Sequence, residues 1–558
     1  MATDLKQQLQ SFLESSLKAP FAAHGESPAI LLECPSDKKF GDLSCNIALK
    51  ASRIFKKPPV LLAEEFRKIL SEAISHSVLK DKIEKITVEK PGFINFYLSR
   101  FAAYDVLYAV FREQAQFGRS TFGQGQKIQI EFVSANPTGP LSVAHARQAA
   151  VGDALANILN FIGFQAVKEF YLNDEGNQIN LLGKSIECRA IEIFGGTAEL
   201  PENGYQGEYI RDIAARLIKE KQIKGREDLA KVLPQEFSRY GVDYLLGVIK
   251  KELEDFRVHF DVWSHQSHIA TQPQIEDVLR SLKDKGFLFE QEGALWFKTT
   301  AFGDDKDRVV KKSDGAYTYF TPDIVYHRDK FQRGFARVFN MWGPDHHGYI
   351  PRLKAAVAAL GYDPSALEVL IVQLATIYRD GKPVSMSTRR GQYISLREVM
   401  DEVGVDAARF FFMMRHINAH LEFDLELAKK QTAENPVYYI QYAHARIHSV
   451  IAKAAEANLS PRTSGLNLLV QPEEMDLIKT VGGFSDVLLM CWQQRDPYAL
   501  VSYLQELATC FHKFYDCHRV VDQENSALSG ERLALIDAAR IVLANGLRLL
   551  GVSTPAKM

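Results

Sequence analysis

The chain has 558 residues, of which 46% are hydrophobic and 24% are charged, a composition that excludes a disordered or collagen-like protein. Its 67 lysines and arginines against 69 aspartates and glutamates give a formal net charge of −2, so a polyanionic partner would have to bind local basic patches. At roughly 100–200 residues per domain, the length predicts about three or four domains.

No apolar run approaches the length of a membrane span, and the first residues lack the basic and apolar regions of a signal peptide. We therefore expect a cytoplasmic protein that makes no membrane contact. Its six cysteines show no CxxC motif and no paired spacing, which is typical of reduced, buried thiols. The cysteines and histidines between Cys510 and His518 lie in a strongly helical stretch at spacings that structural zinc sites do not commonly use, so packing explains them and no metal site is predicted.

Residues 1–116 combine helical and strand patterns and are predicted to form a small α+β module. Apolar residues recur at helical spacing over Asp4–Leu17, and a second helical run follows Gly41. Apolar and polar residues then alternate over Ile83–Leu98, where Pro91-Gly92 interrupts the pattern. This alternation is typical of strands.

Residues 117–394 alternate strand and helix signals, which predicts an α/β domain with a mainly parallel, doubly wound sheet of the Rossmann type. A mostly helical stretch at about 180–300 predicts an insertion into this domain. Thr321-Pro322-Asp323 is predicted to begin a helix as N-cap, N1 proline and first-turn acid, and Asp380-Gly381 to form a hairpin turn. The predicted strands are Lys127–Ser134, Ala166–Leu172, Tyr317–Phe320, Ala336–Met341 and Leu367–Leu374.

Residues 395–558 are predicted to be helical throughout and to form an all-α bundle. Ser395 and Glu398 have the spacing of a capping box, and Gly551 ends the last helix. Asn435-Pro436 and Asp496-Pro497 are typical helix starts. The predicted architecture is therefore an α/β doubly wound domain with an N-terminal α+β module and a C-terminal helix bundle.

The first strand of the α/β domain leads into EFVSANPTGPLSVAHARQ, in which a turn rich in proline and glycine is followed by a helix with His145 in its first turn. Free N–H groups and the positive dipole end at a helix start attract phosphate, and His145 adds a hydrogen-bond donor. A βα turn with a partly exposed histidine explains the same spacing without a ligand.

This segment resembles the first signature of class I aminoacyl-tRNA synthetases, most closely the arginyl-tRNA synthetase form S-x-N-P-T-G-x-L-H-x-G-H-x-R. The matching residues are Ser134, Asn136, Pro137, Thr138, Gly139, Leu141, His145 and Arg147, and Gly152-Asp153-Ala154 continues the match. The resemblance implies that His145 is catalytic. It also implies that ATP is bound by Asn136, Pro137, Thr138, Ser142, Ala144 and His145.

Two positions depart from the family's first signature. Ser142 stands where the family has histidine, and Ala144 stands where it has the glycine that lets adenine approach the backbone. Ser142 is a shorter donor than histidine, and the methyl group of Ala144 occupies space near the base. These departures bear on catalytic efficiency more than on the fold.

The stretch from Ser385 to Gly391 resembles the mobile Lys-Met-Ser-Lys signature of class I enzymes, whose cation neutralises the departing pyrophosphate. Both lysine positions are altered, and a similar Met-Ser-Thr-Arg sequence occurs in the arginyl family. The resemblance therefore assigns the cation to Arg389, with Arg390 in reserve, and an arginine fork binds phosphate oxygens with two donors. It further implies that Met386 contacts ATP and that Ser387 is catalytic, whereas a solvated basic loop is the structural alternative.

The sequence WGPDHHGY at Trp342–Tyr349 follows a predicted strand, at the edge where doubly wound sheets bind ligands. The family resemblance implies that Gly343, Asp345 and His347 line the nucleotide pocket, with Asp345 nearest the ribose. A tight turn with a capping aspartate explains the segment equally well when it is taken alone.

Recognition of arginine requires carboxylates placed to meet a planar, permanently charged guanidinium group. The resemblance implies that this group is bound by Glu131, Tyr319 and Asp323. Ser134 and Asn136 are implied to hold the amino-acid end of the substrate. Without the resemblance, Asp323 is explained as a first-turn helix acid and Glu131 as a charge on a strand edge.

The resemblance continues outside the α/β domain. Pro91–Phe96 resembles the family's N-terminal module, which contacts the tRNA D-loop, with Phe93 and Asn95 at the reading positions. An exposed aromatic ring and an amide suit an unpaired base, although a buried strand aromatic explains Phe93 as well. Asn435–Arg446 resembles the anticodon-binding bundle, and the residues implied to contact tRNA there are Tyr439, Tyr442 and the terminal Met558.

Together these resemblances imply an enzyme that activates L-arginine with ATP and Mg²⁺ and transfers arginine to tRNA-Arg. They further imply that tRNA is required for the activation step, that the protein is a monomer and that zinc takes no part. Ser142, Ala144 and Thr388 leave one alternative, a catalytically weak paralogue that acts as a tRNA-binding protein. A different amino-acid substrate is disfavoured because two buried acids are costly without a cation.

Overall fold

The structure is a computed structural model that describes the chain except residues 1, 2, 23, 26, 34, 36 and 385–393. The segment resembling the second signature therefore lies outside the described residues, and with it the predicted roles of Met386, Ser387, Arg389 and Arg390. None of the described helices is long and apolar enough to cross a bilayer.

The N-terminal module packs helices against a four-stranded sheet. Its elements are α1 (Thr3–Ala22), β1 (Leu32–Glu33), β2 (Leu43–Cys45), α2 (Ile47–Phe55), α3 (Pro59–Ser75), β3 (Ile83–Glu89) and β4 (Phe93–Leu98), and α4 (Arg100–Glu113) follows. The strands pair antiparallel in the order β1-β2-β4-β3. A separate cluster of buried apolar side chains joins the helices to this sheet, which confirms the predicted α+β module.

The central domain begins with the unit β5 (Lys127–Glu131), α5 (Val143–Phe161) and β6 (Gln165–Leu172). Gly152 allows α5 to lie close to the strand side, because a Cβ at that position would lie 2.4 Å from the ring of Phe132. Four helices come next, α6 (Asn177–Ile193), α7 (Glu208–Glu220), α8 (Arg226–Leu229) and α9 (Pro234–Asp255).

After these helices the chain returns to the main sheet at β7 (Val262–His265), which pairs parallel with β6. The mostly helical stretch predicted at about 180–300 therefore contains a strand of the main sheet that the sequence did not indicate. The four residues of β7 are too few to show an alternating pattern, so pairing with β6 decides their structure. The elements that follow are α10 (Gln266–Ile269), α11 (Gln272–Asp284), β8 (Leu288–Gln291), β9 (Ala294–Phe297), β10 (Arg308–Lys311), α12 (Phe320–Gln332), β11 (Arg337–Trp342), α13 (Ile350–Leu360), β12 (Leu367–Ile371), β13 (Ala375–Arg379) and β14 (Lys382–Pro383).

The main sheet has five strands in the order β12-β11-β5-β6-β7, and every neighbouring pair is parallel. This arrangement confirms the predicted Rossmann-type sheet. β8, β9 and β10 form a separate antiparallel sheet. β13 and β14 form the predicted hairpin, in which Asp380 and Gly381 both have positive φ, as a two-residue turn of this kind requires.

The predicted strand at Tyr317–Phe320 is wrong. Tyr317 forms an isolated bridge with Lys311, and α12 already begins at Phe320. Thr321 is therefore inside the helix instead of capping it, and its hydroxyl donates to the carbonyl of Val310 at 2.6 Å. The aromatic and β-branched residues of this stretch favour a strand locally, but packing against β10 decides the outcome.

The C-terminal part is helical except for one short strand, β15, which pairs parallel with β13. Its elements are α14 (Leu396–Val403), α15 (Val405–Phe412), β15 (Leu421–Asp424), α16 (Leu425–Lys429), α17 (Pro436–Glu456), α18 (Pro472–Gly482), α19 (Phe484–Gln494), α20 (Tyr498–Cys517) and α21 (Ser526–Leu549). The prediction of a wholly helical part is thus wrong at β15, which is again too short for a pattern of its own. The capping box of Ser395 and Glu398 is confirmed, since each side chain bonds the other's backbone N–H.

A fully buried arginine, Arg409 on α15, ties the helical part to the central domain. Its guanidinium pairs with Asp153 of α5 at 2.5 Å and donates to the carbonyls of Leu550 at 2.9 Å and Phe256 at 2.8 Å. Gly551 has a φ of +70°, and a Cβ there would lie 2.4 Å from this guanidinium. The chain end beyond α21 is therefore held close to the central domain.

Candidate active site

A cavity of about 720 Å³ opens where β5 and β11 end, the edge at which parallel sheets of this type bind ligands. Side chains from the β5 and β11 ends, the start of α5 and one face of α12 line it. The cavity brings together the predicted site residues Glu131, Ser134, Asn136, Ala144, His145, Tyr319, Asp323, Gly343 and Asp345. Four other predicted ATP contacts, Pro137, Thr138, Ser142 and His347, are not among its lining residues.

The backbone after β5 is strained where it enters the cavity. Val133 and Ser134 have φ angles of 66° and 37°, a region that non-glycine residues rarely adopt. The Ser134 hydroxyl holds this turn by donating to Oε1 of Glu131 at 3.1 Å and accepting the N–H of Tyr171 at 3.1 Å. The turn thus places Ser134 beside the predicted guanidinium-binding carboxylate.

Asn136 is connected to the first helix after β6. Its Nδ2 donates to Oε1 of Gln178 at 2.7 Å. Thr138 faces another part of that region, because Tyr209 of α7 donates to its carbonyl at 2.7 Å. The helices after β6 therefore support the loop that carries the first signature.

The first turn of α5 holds a neutral His145. The N–H of Ser142, the N-cap residue, donates to Nδ1 of His145 at 3.2 Å, so the ring proton lies on Nε2. Burial lowers the pKa of His145 to about 4. His145 therefore offers the cavity a neutral N–H donor beside the positive end of the helix dipole, and not a second cation.

The start of α5 is bound to the residues that follow position 393. Val143 N–H donates to the carbonyl of Ile394 at 3.3 Å, and Leu396 N–H donates to the carbonyl of Leu141 at 2.8 Å. Ile394 and Leu396 therefore lie directly beside the start of the helix that carries His145.

Arg147, another residue of the first signature, is fully buried and has a structural role. Its guanidinium donates to the carbonyls of Gln373 at 2.7 Å, Ala419 at 2.9 Å and His416 at 3.0 Å. Burial lowers its pKa to about 10, so the group remains charged. Arg147 thus anchors α5 to the loops around the β13–β15 pair.

Asp323 and Glu131 meet at the same end of the cavity, as predicted for two carboxylates that bind one cation. Oδ2 of Asp323 accepts the hydroxyl of Tyr349 at 2.5 Å. Burial, together with the negative charge of Glu131, raises the pKa of Asp323 to about 6. Tyr319 is 68% exposed at the rim, where its side chain is free to reach a ligand.

A cation next to these acids, Lys330, was not predicted from the sequence. Lys330 is 0% exposed and forms an ion pair with Oε2 of Glu131. It follows Asp323 by seven residues on α12, with Tyr326 and His327 between them on the same face. This i, i+3, i+4, i+7 spacing is the signal that could have identified the cavity-facing side of the helix.

Comparisons with known proteins agree with this geometry. Family models described as "Arginyl tRNA synthetase N terminal domain", "tRNA synthetases class I (R), catalytic domain" and "DALR anticodon binding domain" match residues 3–98, 107–450 and 440–558. The chain is 46% identical over 554 residues to the arginine–tRNA ligase of Geobacillus kaustophilus, covering 98% of this chain and 97% of that one. The chain belongs to the arginyl-tRNA synthetase family.

Other members of the family are similar in sequence or in structure. The arginine–tRNA ligase of Bacillus subtilis is 43% identical over 561 residues, with both chains fully covered. A putative arginyl-tRNA synthetase from Campylobacter jejuni superimposes with a TM-score of 0.76 at 35% identity, covering 83% of this chain and all of that one. The Thermus thermophilus arginyl-tRNA synthetase has a TM-score of 0.75 at 21% identity, covers 99% of this chain and all of that one, and supports the fold alone.

The segment after β11 is the one predicted from the family resemblance to line the nucleotide pocket. A Cβ on Gly343 would lie 2.7 Å from Oδ1 of Asp345, the end of an exposed side chain that can move away. Asp345 is exposed at the rim, with Nε2 of His346 at 3.5 Å from its Oδ2. His346 lines the cavity, although His347 was the residue predicted. Among the described residues, no group of three or more His, Cys, Asp or Glu side chains is placed to hold a metal ion.

The residues predicted to contact tRNA differ in exposure. Asn95 is 1% exposed and its Oδ1 accepts the hydroxyl of Ser44 at 2.7 Å, so its amide is buried in the module. Phe93 is half-buried, and Met558 is exposed. Tyr439 and Tyr442 line a second cavity in the helix bundle together with Tyr438 and His512.

Proposed function

We propose that the chain activates L-arginine with ATP and transfers the arginyl group to the 3′-terminal adenosine of tRNA-Arg. The observation that carries the proposal is one cavity in which two carboxylates, suited to a guanidinium, lie near a helix start suited to phosphate. In the first step an oxygen of the arginine carboxylate bonds to the α-phosphorus of ATP while the bond to the bridging oxygen breaks and pyrophosphate leaves.

The residues proposed to bind arginine lie on β5, on the strained turn after it and at the start of α12. In this proposal Asp323, Glu131 and Tyr319 bind the guanidinium, and Ser134 and Asn136 hold the amino-acid end. The arrangement contains no protein nucleophile in the proposed reaction. Its residues therefore act by placing the substrate carboxylate in line with the α-phosphate.

Most of the residues proposed to bind the nucleotide lie in the first signature and in the segment after β11. ATP enters with Mg²⁺, and Nε2–H of His145 and the α5 dipole stabilise negative charge that develops on the phosphates. Met386, Ser387 and Arg389 are proposed, from the family resemblance, to act on the leaving pyrophosphate. The remaining proposed nucleotide contacts are Asn136, Pro137, Thr138, Ser142, Ala144, Gly343, Asp345 and His347.

Binding of tRNA-Arg is proposed to use Phe93 on the N-terminal module and Tyr439, Tyr442 and Met558 on the helical part. The half-buried tyrosines lie against neighbouring rings: the centre of the Tyr439 ring is 4.6 Å from that of His512, with the rings tilted by 38°, and Tyr442 is stacked on Tyr438 at 6.2 Å. Such rings offer unpaired bases a stacking surface. We further propose that the protein is a monomer and acts in the cytoplasm, where its three substrates meet.

The test is isotope exchange between pyrophosphate and ATP, measured with arginine and tRNA-Arg present. We expect exchange that depends on arginine, on ATP and on tRNA, with lysine and citrulline as the matched amino-acid controls. Citrulline has the shape of arginine without its charge, so it separates recognition of charge from recognition of shape. Exchange no higher than background in the complete mixture would favour the alternative, a tRNA-binding protein that does not charge.

The two departures from the first signature give a separate prediction. Restoring the family residues with Ser142→His and Ala144→Gly is expected to leave kcat/KM for ATP equal or higher, because Ala144 lines the cavity and its methyl group takes space there. The variant is measured in the same exchange assay across a range of ATP concentrations.

Glycine inside a helix costs about 1 kcal/mol relative to alanine, so Ala156→Gly, on α5 among apolar neighbours, controls for that cost. A loss of activity much larger than in this control would mean that the pocket depends on Ser142 and Ala144 as they stand.

A further inference from the structure

The acidic end of the cavity contains one cation for two carboxylates. Lys330 is fully buried, and Glu131 is 7% exposed. Asp323 is half-buried and shares the cavity with Glu131. In their ionised forms Glu131, Asp323 and Lys330 therefore sum to one net negative charge. Arg352 of α13 is not among the residues that line the cavity, and its guanidinium packs 4.7 Å from the centre of the Tyr349 ring.

Lys330 is held by contacts on three sides. Its Nζ forms an ion pair with Oε2 of Glu131, donates to Oδ1 of Asn340 at 2.8 Å and lies 4.3 Å from the centre of the Tyr326 ring. Because every one of these partners is buried or half-buried, the ammonium group is fixed in place and has no contact with bulk water.

A chain of hydrogen bonds continues from Lys330 to the backbone of Asp323. Nδ2 of Asn340 donates to Nε2 of His327 at 2.8 Å, and Nδ1 of His327 donates to the carbonyl of Asp323 at 2.8 Å. Burial lowers the pKa of His327 well below its ordinary value, so this histidine is neutral and relays no charge. Lys330 thus contacts one acid directly and connects to the other through neutral groups.

We propose that Lys330 is a positioning residue that cancels the charge of Glu131, so that Asp323 alone carries the net charge that the arginine guanidinium neutralises. This role rests on the proposed function. It explains how the net charge of the pocket matches the single positive charge of the arginine side chain. Without Lys330 the two carboxylates would face a single guanidinium, and one negative charge would stay buried without a partner. With it, the pocket and the ligand side chain sum to zero.

The groups that face Asp323 come from four elements or their flanking residues. Tyr349 donates to its carboxylate just before α13, and Arg352 lies on α13. Glu131 lies on β5 and Tyr171 on β6, while Lys330 and His327 share α12 with Asp323. Glu131 raises the pKa of Asp323, whereas Tyr349, Lys330 and Arg352 lower it. Removal of Lys330 should therefore raise this pKa further.

The experiment measures protons released when arginine binds the full-length chain, by titration calorimetry in buffers of different ionisation heat across pH 5.5 to about 8.5. In the unsubstituted protein, release should fade as pH rises above about 6, where Asp323 is already ionised. In Lys330→Met, a carboxyl that is protonated in the free protein must ionise on binding. We expect the midpoint of the release curve to rise by about one pH unit. Since about half of the carboxyl groups would then be protonated at pH 7, arginine affinity at that pH should be about twofold weaker.

Two further variants test the sign of the effect. Glu131→Gln removes the charge that raises the pKa of Asp323, so the midpoint should move to lower pH. The double variant Lys330→Met with Glu131→Gln removes both charges, and its midpoint should return toward that of the unsubstituted protein. A merely structural role of Lys330 would not produce opposite shifts that cancel.

Lys168→Met is the matched control, since Lys168 also pairs with a buried carboxylate, Asp153 at 2.5 Å, but does not line this cavity. It should leave the release curve unchanged. An unchanged curve in Lys330→Met with arginine still bound, or an equal shift in Lys168→Met, would overturn the inference. If Lys330→Met does not fold, Glu131→Gln decides by itself. A release curve whose midpoint does not move to lower pH in that variant would refute the proposed charge balance. An unsubstituted protein that binds no arginine would instead refute the proposed function.

Discussion

Replacing Asp323 with asparagine is expected to raise the KM for arginine by about a hundredfold or more, because the guanidinium loses the one carboxylate whose charge is not already paired with a cation. The KM for ATP should stay within about twofold, since the nucleotide is proposed to bind at the α5 end of the cavity. Steady-state exchange kinetics with each substrate varied in turn measure both constants.

Asp345→Asn is the matched control, because it removes a carboxylate at the exposed rim of the same cavity. We expect the reverse pattern there, with the KM for ATP raised and the KM for arginine unchanged. Equal effects of Asp323→Asn on both constants would contradict the proposed role of Asp323.

The raised pKa of Asp323, about 6 against an ordinary 3.8, sets the sign of a pH dependence. Arginine binds the ionised carboxylate, so the KM for arginine should rise as pH falls through about 6 and should be lowest above it. The stability effect has the opposite direction. The free energy of unfolding falls as pH rises through the folded pKa, because the buried carboxyl group must then ionise. Bound arginine offsets this loss. Asp323→Asn should remove this limb of the profile.

Replacing Arg409 with methionine is expected to lower the free energy of unfolding by about 3–5 kcal/mol. The substitution leaves the carbonyls of Leu550 and Phe256 without their donor and leaves Asp153 with Lys168 as its remaining cation. Urea denaturation followed by circular dichroism measures the loss.

Arg257→Met provides the comparison for Arg409. Arg257 pairs with Asp406 at 2.5 Å and donates to the carbonyl of Gly551 at 3.1 Å, but its side chain is 45% exposed. Water therefore replaces much of the lost interaction, and the expected cost is at most about 1 kcal/mol. An Arg409→Met variant no less stable than Arg257→Met would show that the buried guanidinium does not hold the two parts together.

Local signals predicted a large part of the fold, and the family resemblance named the residues expected to contact the nucleotide. The alternation of β5, the helical periodicity of α5, the capping box at Ser395 and the turn at Asp380-Gly381 all depend on neighbours a few residues apart. The family resemblance added the carboxylates Glu131 and Asp323, and the fold brings both to the cavity that His145 lines. These features could be found because the chain itself sets their spacing.

The features that the sequence did not reveal depend on segments far apart in the chain. β7 and β15 are four residues long and become strands because β6 and β13 offer them backbone partners. The burial of Asn95 depends on Ser44, which lies 51 positions earlier.

Lys330 is the clearest case of tertiary structure deciding a site. In the sequence it is one lysine near the end of a helix, where a solvated charge is the ordinary outcome. It becomes the counter-ion of Glu131 because the sheet places a residue 199 positions away beside it. Periodicity and capping therefore determined the elements and the start of α5, whereas the charge balance of the acidic pocket was decided by tertiary packing, since water is excluded there and each buried charge must find a partner.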